Sequence, residues 1–461
     1  MFMEQKTKPK TAVTKPYQMK NIYFLFSILF SSSLVCQSYT GYITDNFNGI
    51  HGVTSNPANI ADSRVQIDVN FISFSTVVAN DYVGFSFDNV TQLADGADFT
   101  DLNTFASSHN EVLANLEVMG PSFMFNLSEK HSVGILTRAR LVNNYNNING
   151  EFLESILDGF PTEDYSVDQD NLDGTTHGWG EIGLAYGRVI FDDFYNHYLK
   201  GGITLKYLFG GGVAQGSSNN LSGSYTAADN QINFNGDFSY LMSYDEDQDP
   251  KDYIKNYSPG YGMDLGVVYE YRTPSSMASN TRDNQRAINK YRVKIGMSLQ
   301  DLGAITYKDV EFTKYDLNGT VDADEVEDDF VDALDNNFSS TSTLGDVRIA
   351  LPTSLRLNID YKLLPLVYAN LDITQTVVKK NAPYNNNRLN LITFTPRFET
   401  RIISAYLPIS YSPLGKTAIG AGLKLGPLIV GSGSLLSNLI SDSPQMVNVY
   451  FGFKIPISHR R

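Results

Sequence analysis

Cysteine and tryptophan are almost missing, with one of each in 461 residues. The single Cys36 lies in the N-terminal leader, so the chain beyond it can form no disulfide. Thiol catalysis and cysteine-ligated zinc or iron–sulfur sites are excluded there for the same reason. Positive charge is also scarce: 35 Lys+Arg face 50 Asp+Glu, a net charge of −15. That balance argues against binding nucleic acid through bulk electrostatics. Beyond the leader, no stretch approaches the roughly 18 consecutive apolar residues of a membrane-spanning helix. What is plentiful is Gly 36, Tyr 28 and Phe 27, a composition that favours strands and aromatic girdles over helix bundles or coiled coils.

Lys6, Lys8, Lys10, Lys15 and Lys20 precede the apolar run Ile22 to Phe30 and the small residues Ser31 to Ser33. These are the charged and hydrophobic regions of a secretory signal. Met19-Lys20 begins a compact signal, which leaves residues 1–18 as an upstream extension. Cleavage after Cys36 makes Gln37 the mature terminus; lipid attachment to Cys36 wants a small preceding residue, and Val35 stands there. The division is therefore a signal over 1–36, a segment over 37–64 and a main body over 65–461. Residues 37–461 carry 30 basic and 49 acidic groups, net −19. An exported chain with no spanning helix is either soluble beyond the inner membrane or a barrel.

Alternation decides between the two. In Val65-Gln66-Ile67-Asp68-Val69-Asn70-Phe71 apolar and polar residues alternate, the two-faced signature of a strand. Leu355, Leu357, Ile359 and Tyr361 alternate with Arg356, Asn358, Asp360 and Lys362. Val447, Val449, Phe451, Phe453, Ile455 and Ile457 alternate with Asn448, Tyr450, Gly452 and Lys454. A soluble sandwich also alternates but uses shorter strands, whereas runs of about ten residues suit a transmembrane antiparallel β-barrel.

Short connections are predicted near 128–130, 192–196, 363–365, 398–400 and 426–427, with long polar excursions over 88–116, 144–176, 212–257 and 303–350. Strands starting near 65, 117, 131, 177, 197, 258, 289, 351, 366, 388, 401, 416, 428 and 446 give about fourteen. The even number returns both ends to the periplasm. Phe71 to Phe87 reads either as one long strand or as a hairpin, and the link 273–288 is long for a periplasmic turn. The aromatic last strand, ending a few residues before the chain does, suits insertion by barrel-assembly machinery.

Asn56-Pro57-Ala58-Asn59-Ile60-Ala61-Asp62, Ser298-Leu299-Gln300-Asp301-Leu302-Gly303, Leu351-Pro352-Thr353-Ser354-Leu355-Arg356-Leu357 and Gly426-Pro427-Leu428-Ile429-Val430-Gly431-Ser432 resemble an uncharacterised family of Bacteroidota outer-membrane barrels. That family is similar to the long-chain fatty-acid transporter superfamily, whose members include a shuttle barrel of the type IX secretion system. The resemblance implies fourteen strands with an N-terminal hatch over 37–64 that occludes the bore. It implies outer-membrane location and transport of hydrophobic or small molecules, and it carries over no ligand-contacting residue.

Asn56, Pro57 and Ala58 would lie in that hatch, since proline fixes φ and removes a donor; a plain turn before the first strand is the alternative. Arg138 and Arg140 share a face opposite Val133, Ile135, Ala139 and Leu141, which points both into the lumen. Arg356, Asp360 and Asp372 follow the same logic. A lumen carrying both signs holds itself together by ion pairs, or else lines a polar path. The acidic run Asp322, Asp324, Glu325, Glu327, Asp328, Asp329, Asp332 and Asp335 reads as loop surface. Asp316-Leu317-Asn318-Gly319 lacks the spacing of a calcium loop. Asp245, Glu246, Asp247, Asp249 and Asp252 read likewise, as surface able to bridge divalent cations to lipopolysaccharide. The six histidines form no metal pair, and His131 with Ser128 has no supporting motif. Asn110 to Val118 and Glu151 to Leu157 show helical spacing. No cofactor, metal or catalytic residue is indicated. Expected partners are outer-membrane lipid, lipopolysaccharide and secretion or surface proteins. A transporter and a non-transporting scaffold are the two functional readings.

Overall fold

The computed structural model describes residues 39–89, 103–192, 196–243, 257–273, 285–379, 384 and 386–459. The expected signal over 1–36 lies outside them. The described strands in chain order are β1 (Val65–Asn80), β2 (Asn110–Met119), β3 (Ser122–Asn126), β4 (His131–Ile148), β5 (Tyr165–Asp192), β6 (His197–Thr226), β7 (Gln231–Met242), β8 (Ser258–Arg272), β9 (Tyr291–Asp316) and β10 (Gly319–Asp322). They continue with β11 (Ser339–Ala350), β12 (Ser354–Leu364), β13 (Val367–Thr376), β14 (Leu391–Glu399), β15 (Ile403–Tyr406), β16 (Ile409–Ser412), β17 (Lys416–Ile419), β18 (Ala421–Leu425), β19 (Leu428–Ser432) and β20 (Met446–Ser458).

All ladders are antiparallel, and β1 pairs with β20 through Val65↔Ser458 to Ile72↔Phe453, which closes the ring. Several spans are two ladders in line, such as β2 with β3 and β11 with β12, so the wall counts fourteen strands. Closure matters because an open edge in hydrocarbon would leave a row of unsatisfied amides and carbonyls. Interruptions fall at Gly120-Pro121, Leu351-Pro352-Thr353 and Leu407-Pro408, where proline cannot donate to a ladder. The 71–87 alternative resolves in favour of one strand to Asn80. A register shift between Asn70 and Ile72 turns Phe71 and Ile72 both outward.

Outward positions carry Ile182, Leu184, Leu205, Leu265, Val267 and Phe451, all exposed. Tyr207, Tyr257 and Tyr261 cluster at one rim of this band, while His131 with Tyr186 and His197 with Tyr269 lie toward the other. The pleat thus places apolar side chains on the outer surface of the ring and polar ones inside.

The long excursions are corrected in substance. β5 has 28 residues and β6 has 30, about three times the 9–11 that cross a bilayer. Their far halves, with β7, β9, β10 and β11, build a cap beyond the wall. Three helices complete it: α1 (Gly150–Asp158), α2 (Ala323–Asp328) and α3 (Phe330–Asn337). The cap has its own core, including Phe152, Val167, Leu221, Ile232, Phe234, Tyr315, Val326 and Leu334. These strands read as loops because their apolar residues face a local core that alternation against a membrane does not reveal. The acidic run is likewise not plain loop: Asp322 caps α2, and Asp329 caps α3 by accepting from the Val331 and Asp332 amides at 2.9 and 3.1 Å. Asn110 to Val118, which has helical spacing, is a strand, because its backbone pairs with β1 on one side and β4 on the other. The Glu151 to Leu157 patch is helical, within α1. The acidic cluster Asp245 to Asp252 and most of the link 273–288 lie outside the described residues.

Charge divides along the same boundary. Segments 149–176, 211–243 and 303–350 hold 22 acidic and 3 basic residues, net −19. The remainder of 37–461 balances at 27 of each sign. The cap therefore carries the whole excess charge.

Candidate functional site

Inside the ring runs the segment 39–64, with a short helix over Ile50–Ser55 flanked by 3-10 turns at Tyr42–Thr44 and Pro57–Ile60. Its side chains and backbone meet inward-facing groups on strands all around the wall. Tyr39, Tyr42 and Ile43 pack with Tyr406, Ile429 and Tyr450 in one apolar cluster. Asp45 accepts from Lys424 Nζ at 2.9 Å and from the Tyr406 hydroxyl. The Asn46 side-chain amide donates to Glu399 at 2.9 Å. Lys454 Nζ donates to the Phe47 and Asn48 carbonyls at 3.0 and 2.8 Å and pairs with Asp68 at 3.0 Å. Asp68 in turn accepts from the Ile50 amide at 2.8 Å.

On the opposite side most polar contacts are of backbone with polar side chains. Ser298 Oγ donates to the Ser55 carbonyl at 2.7 Å, and Gln300 Nε2 to the Thr54 carbonyl at 2.7 Å. Lys200 donates to the Ala61 carbonyl at 3.0 Å, and Arg272 pairs with Asp62 at 2.8 Å. Asn56 caps the following 3-10 turn by accepting from the Ala58 amide at 2.9 Å. Its Nδ2 donates to the Val267 and Met297 carbonyls, each at 3.1 Å, on neighbouring strands β8 and β9. The close approach needs glycine in the wall. A Cβ on Gly202 would come within 2.4 Å of the Pro57 carbonyl carbon, and one on Gly266 within 2.0 Å of Asn56 Oδ1. A polar cavity of about 50 Å³ remains along this seam, bordered by Asn59, Asp62, Lys200, Glu270, Lys294 and Asn358. That is room for roughly three waters.

Beyond the segment, toward the cap, the lumen is crossed by an ionic lattice. Asp301 is its hub. It pairs with Arg140 at 2.9 Å, Lys206 at 2.6 Å and Arg388 at 2.8 Å. Arg138 donates from Nε to Glu181 at 2.6 Å and pairs with Glu117 at 3.1 Å, while Lys206 also reaches Asp264 at 2.7 Å. The Arg140 guanidinium lies 4.7 Å over the Trp179 ring, and His177 stacks with the same ring at 4.7 Å. Four cations and four carboxylates here balance, which is how buried charge is tolerated.

Of the residues singled out from sequence, Arg138 and Arg140 join this lattice. Arg356 pairs with Asp372, Nε to Oδ1 at 2.8 Å, across β12 and β13. Asp360 belongs to a separate cluster, bonded to Arg397 at 2.7 Å through both oxygens and to the Tyr291 hydroxyl. Sequence reasoning passed over Glu181, Lys206 and Asp264, although each alternates with exposed apolar neighbours in the same way as Arg138. Asp301 carried no such signal. Its φ of 57° marks an irregularity that turns it inward beside Gln300, with its amide held by Asp264 at 2.7 Å.

A second cavity, of about 360 Å³, opens on the cap side of the lattice. Leu113, Leu389 and Leu414 are in its apolar part; Asp81, Glu111, Asn144, Arg388 and Lys416 are in its polar part.

Comparisons with known proteins give fold-scale likeness at low identity. The Pseudomonas putida toluene transporter TodX matches at 10% identity and a TM-score of 0.44, over 90% of this chain and 95% of that one. The CymD monoaromatic hydrocarbon channel matches at 10% and 0.45, over 92% and 99%. A Pseudomonas aeruginosa FadL homologue matches at 10% and 0.40, over 91% and 96%. No curated protein matches the sequence. A family model described as a family of unknown function, DUF5723, matches residues 57–433, and the chain belongs to that family.

Proposed function

We propose that the protein is an outer-membrane channel for small molecules, with residues 37–64 as its hatch and the 360 Å³ cavity as the first station of its cargo. The observation that carries this reading is the unequal attachment of the segment. One flank is an aromatic anchor of Tyr39 and Tyr42. Ile50, Val53 and Ile60 pack on Met119, Met124, Leu136 and Ala185, while the flank toward β8 and β9 meets the wall through hydrogen bonds, the Arg272–Asp62 pair and a water-sized seam. Bonds of that kind are replaced by water at small net cost, whereas an apolar interface is not. The hatch therefore loosens first along the polar seam beside β8 and β9. The cavity suits molecules with both apolar and polar parts, so hydrophobic cargo is narrowed to amphipathic cargo. The resemblance to fatty-acid transporters and to the type IX shuttle barrel belongs to this reading, as do lipid and lipopolysaccharide as surroundings.

A tether tests it. No cysteine follows Cys36. A Cβ on Gly266 would lie 2.9 Å from Asn56 Cγ, so Asn56→Cys with Gly266→Cys places a disulfide within reach. In liposome uptake of small amphipathic solutes, the oxidised variant should be silent and reductant should restore flux. Equal flux in both states would refute the hatch.

The scaffold reading is favoured by one separate observation, the concentration of net charge in the cap. It predicts no flux in either redox state.

A further inference from the structure

The cap ends in an unprotected sheet edge. At its level the strand order is β6, β7, β9, β11, with Asp237↔Asp316 to Met242↔Glu311 on one side of β9 and Ser339↔Asp316 to Leu344↔Glu311 on the other. Among the described residues β9 is the ladder partner of β11, and the second edge of β11 meets no strand. Ser339 through Leu344 are exposed on both faces, Leu344 at 73%. Natural edges are blunted by lysine, proline or a bulge. Ser339-Ser340-Thr341-Ser342-Thr343-Leu344 has none of these, and its register stays regular until the shift between Gly345 and Val347. Beside it lies a cavity of about 450 Å³ bordered by Leu241, Phe312, Thr341 and Thr343.

We infer that this edge of β11 is a docking site for an extended, basic polypeptide segment of a partner protein, which adds a strand to the cap. The backbone row selects an extended chain, since its outward amides and carbonyls are spaced to pair in register with another strand. The charge selects a cation-bearing one: the cap is net −19, which attracts basic segments and repels acidic ones. The cavity on one face and Leu344 on the other accept alternate side chains of the incomer. The inference stands on the cap alone and does not depend on flux through the lumen.

The probe is a short synthetic peptide alternating lysine with valine, measured by fluorescence anisotropy against the full protein in detergent. Its partner probe has the same charge but is N-methylated at every residue, which removes the donors along both of its edges. The first should bind, more weakly as salt rises. The second should bind about tenfold more weakly or worse, through the loss of several backbone bonds. Equal binding of the two would mean adhesion by charge, and absence of binding at low salt would equally overturn the inference. On the protein side, Thr341→Pro and Ser342→Pro block adjacent amides, one facing β9 and one facing the free edge. Whichever variant keeps a protease-resistant cap should lose the peptide; retained binding refutes the site. Thr343→Cys reports a competing occupant: a cross-link between two copies would assign the edge to self-association instead.

Discussion

Asp301→Asn removes the hub charge of the lumen without changing its shape. In the wild type three cations sit within 2.9 Å of its carboxylate, and its side chain is fully buried. After the substitution Lys206 keeps Asp264 at 2.7 Å, and Arg140 keeps Glu181 at 3.7 Å. Among the described residues Arg388 then keeps a neutral contact alone, through Gln300 at 2.9 Å. One cation is thus stranded outright and two are weakened. Breaking a buried pair from one side costs about 3–5 kcal/mol, and the surviving partners keep the total near that range instead of a multiple of it. The molecule supplies its own reporter, because the single tryptophan, Trp179, lies under Arg140 and donates to Glu181 at 3.3 Å. Urea unfolding in detergent, followed by Trp179 fluorescence, should show a midpoint lowered by about 1–2 M. Adding Arg388→Gln should recover about 1–3 kcal/mol by removing the stranded charge. A midpoint within about 0.3 M of wild type, or no recovery in the double variant, would refute the hub.

Gly202→Ala should push the Pro57 turn off the wall, given the 2.4 Å approach; the cost is about 1–3 kcal/mol, read as faster proteolysis within residues 39–64. Phe234→Ala should cost about 3–5 kcal/mol within the cap core, where Phe234 is 1% exposed. Limited proteolysis should then cleave the cap while the barrel keeps its resistance to detergent unfolding; joint loss of both would show that they fold as one unit. Asp372→Asn should cost less than half as much as Asp301→Asn, because among the described residues Arg356 is its one ion-pair partner and both side chains retain 10–12% exposure. Comparison of the two urea midpoints checks the ranking.

The barrel itself was legible in the residues. Alternation together with the spacing of short and long connections placed a strand at each of the fourteen wall spans, though it began the second near 117 and not at Asn110, because side-chain direction in a strand is set by the pleat within a few residues. The same periodicity pointed Arg138 and Arg140 inward and extends without change to Glu181 on β5 and Lys206 on β6. It failed in three places for three reasons. Segment 39–64 has no period to read, so the roles of Asp45 and Asp62 are invisible locally. Asp301 turns inward through an irregular backbone that alternation assigns to the other face. Ser339 to Leu344 belong to a strand with water on both faces, which leaves no hydrophobic pattern at all.

Composition and alternation alone thus determined a closed antiparallel cylinder, since these are properties of neighbouring residues and of the need to satisfy every backbone group in lipid. Only the tertiary structure decided which charges meet. Arg140 and Asp301 stand 161 positions apart in the chain yet lie 2.9 Å apart in the lumen, and a distance of that kind is fixed by the register of the strands between them, which no local pattern encodes.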